Sequence, residues 1–190
     1  PIIKEQANLT ASDIQQVKPN TFIEKVIFAS MEFKKKLYKD LNSGNNIYTC
    51  YGYARAFSKK LYGKIEIPDS VGEDAYSYLF VTKKNLGFQA VNSTSIFYKL
   101  PSTLGDHSKQ SVRFFHSQKR FIQEFGKDFV MNEYHISKNH AIKSILKTAI
   151  VNPYFLCYLF ILVDMKLKSI VAPSTKSTWA MAKTSKKGVV

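Results

Sequence analysis

The sequence predicts a mainly α fold: a compact multi-helix domain over residues 1–173, with at most a small two-stranded β element around residues 88–100. A basic Ser/Thr/Lys-rich tail follows over residues 174–190. Three observations predict this. Apolar side chains recur every three or four residues along most of the chain. Helix-capping signatures punctuate it. Its 190 residues, 45% hydrophobic and 14% aromatic, suffice to fill a core, and a composition this apolar excludes a chain disordered throughout.

From the N-terminus, Thr10-Ala11-Ser12-Asp13 has the capping-box form, with Leu9 and Ile14 placed to staple a short first helix that Lys18-Pro19 breaks. Thr21-Phe22-Ile23-Glu24 is a second box and opens the clearest helix. Its positions Phe22, Val26, Ala29, Phe33, Leu37 and Leu41 share one face, which sends Lys34, Lys35, Lys36 and Lys39 largely to the solvent side. Turn residues Asn42 to Asn46 end it. Residues 47–62 read as another helix, with Ile47, Tyr51, Ala54, Phe57 and Leu61 in register and Gly63 closing it. Ile65-Glu66-Ile67 is a short extended piece stopped by Pro68. Ser70-Val71-Gly72-Glu73 is a third capping box, opening a helix that runs towards Lys84.

Phe88 to Val91 and Ser95 to Leu100 read as two short strands, and Pro101 to Lys109 as loop. A helix resumes from Gln110 to Phe125 on an inner stripe of Val112, Phe115, Ile122 and Phe125, leaves Arg113, Lys119 and Arg120 off it, and stops at Gly126. Two helices over residues 128–134 and 138–150 follow. Asn152 as N-cap, with Pro153 at the first helical position, then starts an apolar helix towards Lys168. Within it Tyr154 to Val163 is an unbroken apolar run of ten residues. That is half of the roughly 20 a membrane-spanning helix needs, so a buried core helix is expected and no transmembrane segment.

Charge is the strongest compositional signal, with 28 Lys+Arg against 14 Asp+Glu and a net +14. It is unevenly placed: +5 over residues 1–63, −1 over 64–106 and +10 over 107–190. Such a field attracts polyanions and implies nothing about fold. Two cysteines, Cys50 and Cys157, each set among apolar neighbours, fit free thiols of a reducing compartment better than a disulfide framework. The opening residues have neither the basic region nor the apolar region of a secretory signal. A cytoplasmic location is the expectation.

The segment Val130 to Lys147 resembles the helix-turn-helix of bacterial DNA-binding regulators. Ile136-Ser137-Lys138-Asn139 matches the end of the turn and the start of the second helix. The resemblance implies that Ala141 and Ile145 face inward, while Lys138, Asn139, His140, Lys143, Ser144 and Lys147 face out towards base edges and phosphates. Arg113, Lys119 and Arg120 are expected to assist, as is the tail. A second basic and aromatic set comprises Tyr48, Tyr51, Tyr53, Arg55, Lys59, Lys60, Tyr62 and Lys64, with Lys34 to Lys36 before it. Aromatics between cations suit stacking on unpaired bases.

Catalytic signals are weak. His107, His116, His135 and His140 are scattered, and neither an HExxH nor a CxxC spacing occurs. Glu133, His135 and His140 do not have a spacing that demands a metal. Asp164-Met165-Lys166 has the form of the end of a nuclease motif, but its only upstream acidic partner, Asp69, is distant. Neither a phosphate-binding glycine loop nor a nucleophile elbow is present, and no cofactor is implied. The reading is a nucleic-acid-binding protein, a DNA-binding regulator or accessory factor, with DNA favoured over RNA and a homo-oligomer or protein partner allowed. Two other classes stay open: a small metal-independent ribonuclease or RNA-targeting toxin, and an assembly factor docking on an acidic protein or an anionic membrane.

Overall fold

A computed structural model describes residues 7–68 and 72–171, except for the side chains of residues 109–110, 112–116 and 168–171. Among the described residues the fold is mainly α, with strands β1 (Leu9–Gln16), β2 (Arg55–Phe57) and β3 (Phe88–Tyr98). The helices are α1 (Phe22–Lys39), α2 (Lys59–Tyr62), α3 (Glu73–Lys83), α4 (Leu104–Phe125), α5 (Lys127–Glu133), α6 (Lys138–Val151) and α7 (Pro153–Val171). The chain divides into two compact units. One takes the described parts of residues 1–15, 38–97 and 117–135, the other those of 16–37, 98–116 and 136–190.

The sheet is larger than the sequence predicts. It has three strands in the order β2-β1-β3. β1 pairs β2 antiparallel, with Leu9 opposite Phe57 and Ala11 opposite Arg55. Against β3 it runs parallel, since the Leu9 amide donates to Gly87 and the Val17 amide to Tyr98. The short first helix expected to open at the box of residues 10–13 and to break at Lys18-Pro19 is therefore the central strand. The two short strands expected around residues 88–100 are one, carried across Asn92 to Ser95 by side-chain bonds. Ser12 Oγ donates to the Thr94 carbonyl at 2.9 Å, and Gln15 Nε2 to Ser95 Oγ at 3.1 Å.

In the first unit α3 is enclosed on most sides. Tyr76, Ser77, Tyr78, Leu79 and Val81 are all buried, and they pack with Leu9, Ile47, Leu61, Phe121 and Val130. The helix expected over residues 47–62 is a short 3-10 turn (Ile47–Thr49), then β2, then α2, which Ser58 caps by accepting the Leu61 amide. Ile47, Phe57 and Leu61 still reach the core, while Tyr51 and Ala54 of the expected stripe are half-buried, and the helical period is wrong. Gly126, at φ +91°, separates α4 from α5, a backbone position that side-chain-bearing residues disfavour.

The second unit is built on α1 and α7. Val26 and Ala29 pack with Phe155, Tyr158 and Met165, and Ile145 and Ala149 of α6 join them. The Thr21 capping box forms in full. Thr21 Oγ1 accepts the Glu24 amide, while Glu24 Oε2 accepts the amides of Asn20 and Thr21 at 2.8 and 2.9 Å. Asn152 caps α7 as expected, its Oδ1 accepting from Tyr154 and Phe155. α4 begins at Leu104, inside the expected loop, because Thr103 Oγ1 accepts the Asp106 amide and nucleates it. The third capping box at Ser70 and the tail over residues 174–190 lie outside the described residues.

Candidate functional site

α6 belongs to the second unit and α5 to the first. α6 packs against α7 through Ile145 and Ala149, and it contains no fully buried residue. Lys138, Asn139, Lys143 and Lys147 are exposed along it, while His140 and Ser144 are half-buried. The last two therefore sit on the packed side of the helix. The Ser144 carbonyl accepts Thr148 Oγ1, and His140 Nε2 is buried without a hydrogen-bond partner. Ala141 and Ile145 are half-buried, on the inward side.

The outward face of α6 carries more than lysines. Ile142 is 55% exposed, Leu146 58% and Ile150 84%. Steps of four residues advance only about 40° around a helix, so these three form one stripe, with Lys143 and Lys147 along its edge. The helical spacing contains this signal, but a search for polar groups on the outward arc passes over it. α7 behaves alike. Phe155, Tyr158 and Met165 are buried, while Leu156, Phe160 and Val163 are exposed, Phe160 to 80%. The apolar run of α7 is thus a core helix on its inner face alone.

Of the remaining predicted residues, Arg113 and Lys34 to Lys36 belong to the second unit and the others to the first. Lys119 and Arg120 are exposed together on α4. The side chain of Arg113 lies outside the described ones. Lys59, Lys60, Tyr62 and Lys64 form an exposed group on and after α2, and Tyr53 is exposed as well. Arg55 faces the other way. Its side chain is 10% exposed, donating to the Glu73 carbonyl at 2.7 Å and Ser77 Oγ at 3.0 Å and lying 4.0 Å from the Glu73 carboxylate. Tyr48 stacks on Tyr38 with 4.2 Å between ring centroids and donates its hydroxyl to the Tyr134 carbonyl. Burial pushes the Tyr48 and Tyr51 hydroxyls up to about 12. Tyr48 is thus fastened into the fold, and Tyr51 is half-buried.

Among the described residues, groups able to do acid–base chemistry are few; the side chain of His116 lies outside them. Lys34 Nζ donates to Tyr158 OH at 3.0 Å, and the His107 ring lies 6.0 Å from that of Tyr158. Lys34 is half-buried, not on the solvent side as its helical position predicts. Burial, with the positive charge of Lys34 behind it, holds His107 down to about 4, so the imidazole is neutral near pH 7. Burial likewise pushes the Cys50 thiol far up, and both cysteines are free. Glu133 accepts the Tyr78 hydroxyl at 2.8 Å. Among the described residues no group of three or more His, Cys, Asp or Glu side chains is placed to hold a metal ion, and no helix is long and apolar enough to cross a membrane. Compared with known proteins, the chain matches no family model, no curated protein and no solved structure.

Proposed function

We propose that this is a binding protein that docks on a polyanion through the outward face of α6. The observation that carries the reading is the exposure of Lys138, Lys143 and Lys147 on one helix, within a chain of net charge +14. Around these lysines, residues 136–171 contain five lysines and a single acidic residue, Asp164. A cation held near a densely charged anionic surface contributes about 1 kcal/mol, and each loses that contribution as salt rises. The test is retention on immobilised heparin, a soluble polyanion of no particular sequence. Lys143→Gln with Lys147→Gln should weaken binding about tenfold or more at low salt. Binding indifferent to both salt and the double substitution would overturn the reading.

A DNA-reading version has its own support. Asn139 is exposed between Lys138 and Lys143 near the start of α6, and these residue types pair with adenine and guanine edges. On that version Asn139→Ala and Lys143→Ala reduce preference for a selected duplex over random duplex. Equal affinity for both duplexes in the parent protein sinks it.

A further inference from the structure

We infer that the polyanion is the surface of an anionic lipid bilayer, on which the α6–α7 pair lies with its exposed apolar stripes in the headgroup boundary. This rests on the polyanion reading of α6 and names its partner. The stripe of Ile142, Leu146 and Ile150 occupies the middle of the outward arc, and Lys143 and Lys147 border it. A helix reading the major groove needs hydrogen-bonding groups on the outward arc of its first turns, where Ile142 stands exposed. An interfacial helix needs this order instead: an apolar arc entering the acyl boundary, with lysine stems lying along it and their ammonium groups among the phosphates.

α7 extends the same chemistry. Its outer face presents Leu156, Phe160 and Val163, and the two stripes approach each other in sequence across Ile150 and Val151, both largely exposed. A second copy of the chain is a poor occupant, since pairing would set lysine edges and net charges of +14 against each other. A bilayer rich in anionic lipid meets both needs at once.

The experiment is co-sedimentation of the full chain with vesicles of phosphatidylcholine, with and without phosphatidylglycerol. Immobilised heparin and a duplex DNA are assayed in parallel. Of the two vesicle types, only those containing phosphatidylglycerol are expected to bind. It should fall about tenfold or more in the Leu146→Ser, Phe160→Ser variant and comparably in Lys143→Gln, Lys147→Gln. Both apolar sites are exposed, so the serine variant should keep its circular dichroism and melting temperature. Should it lose its fold, Leu146→Gln and Phe160→Gln made singly supply the same comparison.

Equal binding to neutral vesicles would overturn the inference, because charge would then play no part. So would binding to heparin or DNA without binding to vesicles, which leaves the polyanion reading standing. Binding to none of the three would overturn both. Self-association abolished by the serine variant, with no vesicle binding, would assign the stripes to a second copy and overturn the lipid.

Discussion

At the scale of single residues, the orientation of a charge decides its role. Arg55 has the composition of a phosphate contact and the surroundings of a structural one. It is fixed to Glu73 and Ser77 at 10% exposure. Arg55→Met should lower stability by about 2 kcal/mol, since the Glu73 and Ser77 groups lose a buried partner, and leave heparin affinity unchanged. Lys143→Gln should do the reverse, and urea melts read beside heparin retention separate the two roles. His107 gives a pH prediction. At 8% exposure it has an unpartnered Nε2 beside the Tyr158 ring and within the field of Lys34. Its pKa is held at about 4 in the folded chain against the 6.5 of an ordinary histidine. The unfolded chain therefore binds the proton first. Its contribution is fully present above pH 6.5 and is lost as pH falls towards 4, a change of about 2–3 kcal/mol. Urea midpoints measured between those pH values should fall in the parent protein and flatten in His107→Leu. Parallel profiles would place the acid sensitivity elsewhere.

At the scale of elements, two similar signatures had different fates, and the reason is length. Thr10-Ala11-Ser12-Asp13 and Thr21-Phe22-Ile23-Glu24 both look like helix starts. Behind the second lie six apolar positions on one face, enough to bury a helix against α7. Behind the first only a few residues precede Pro19, too few to offset the cost of a helical nucleus. The segment gains more as the middle strand, where β2 and β3 satisfy both of its edges. Helices α5, α6 and α7 and the cap at Asn152 were legible, because their periodicity is local. β2 was not, because its pairing with β1 joins residues some 46 positions apart, Ala56 with Thr10. Gly52 and Ser58 broke the helical reading of residues 47–62 in plain sight. The completed box gives this scale its prediction. Burial disfavours the Glu24 carboxylate, yet the amides of Thr21 and Asn20 hold its pKa below the usual value. Thr21→Ala should remove the reciprocal bond and lower the urea midpoint by an amount equivalent to about 1 kcal/mol, whereas Thr21→Ser should be nearly neutral.

At the scale of the whole molecule, the charge and the exposed apolar stripes belong to one problem. The +10 carried by residues 107–190 was legible, and so was the helix bearing three of its exposed lysines. The apolar middle of that face was hidden, because which arc of a helix stays uncovered depends on what packs against it. With 28 cations and 14 anions, half the cations have no acidic side chain to neutralise them, whatever the local pairing. The folded chain compresses that excess into a small volume, and the unfolded chain relaxes it. Salt screens the repulsion over a Debye length of about 10 Å at 0.1 M. Raising sodium chloride from about 0.02 to about 0.3 M should therefore raise the melting temperature by about 2–4 °C, while the same addition weakens retention on heparin. The two responses have opposite signs and a common cause. A polyanion that binds the folded chain should raise the melting temperature at low salt by mass action, and it should lose that effect in Lys143→Gln, Lys147→Gln. A melting temperature that falls on adding salt would mean that paired charges outweigh the excess, and the field would then be too weak to bring the α6 face to an anionic surface.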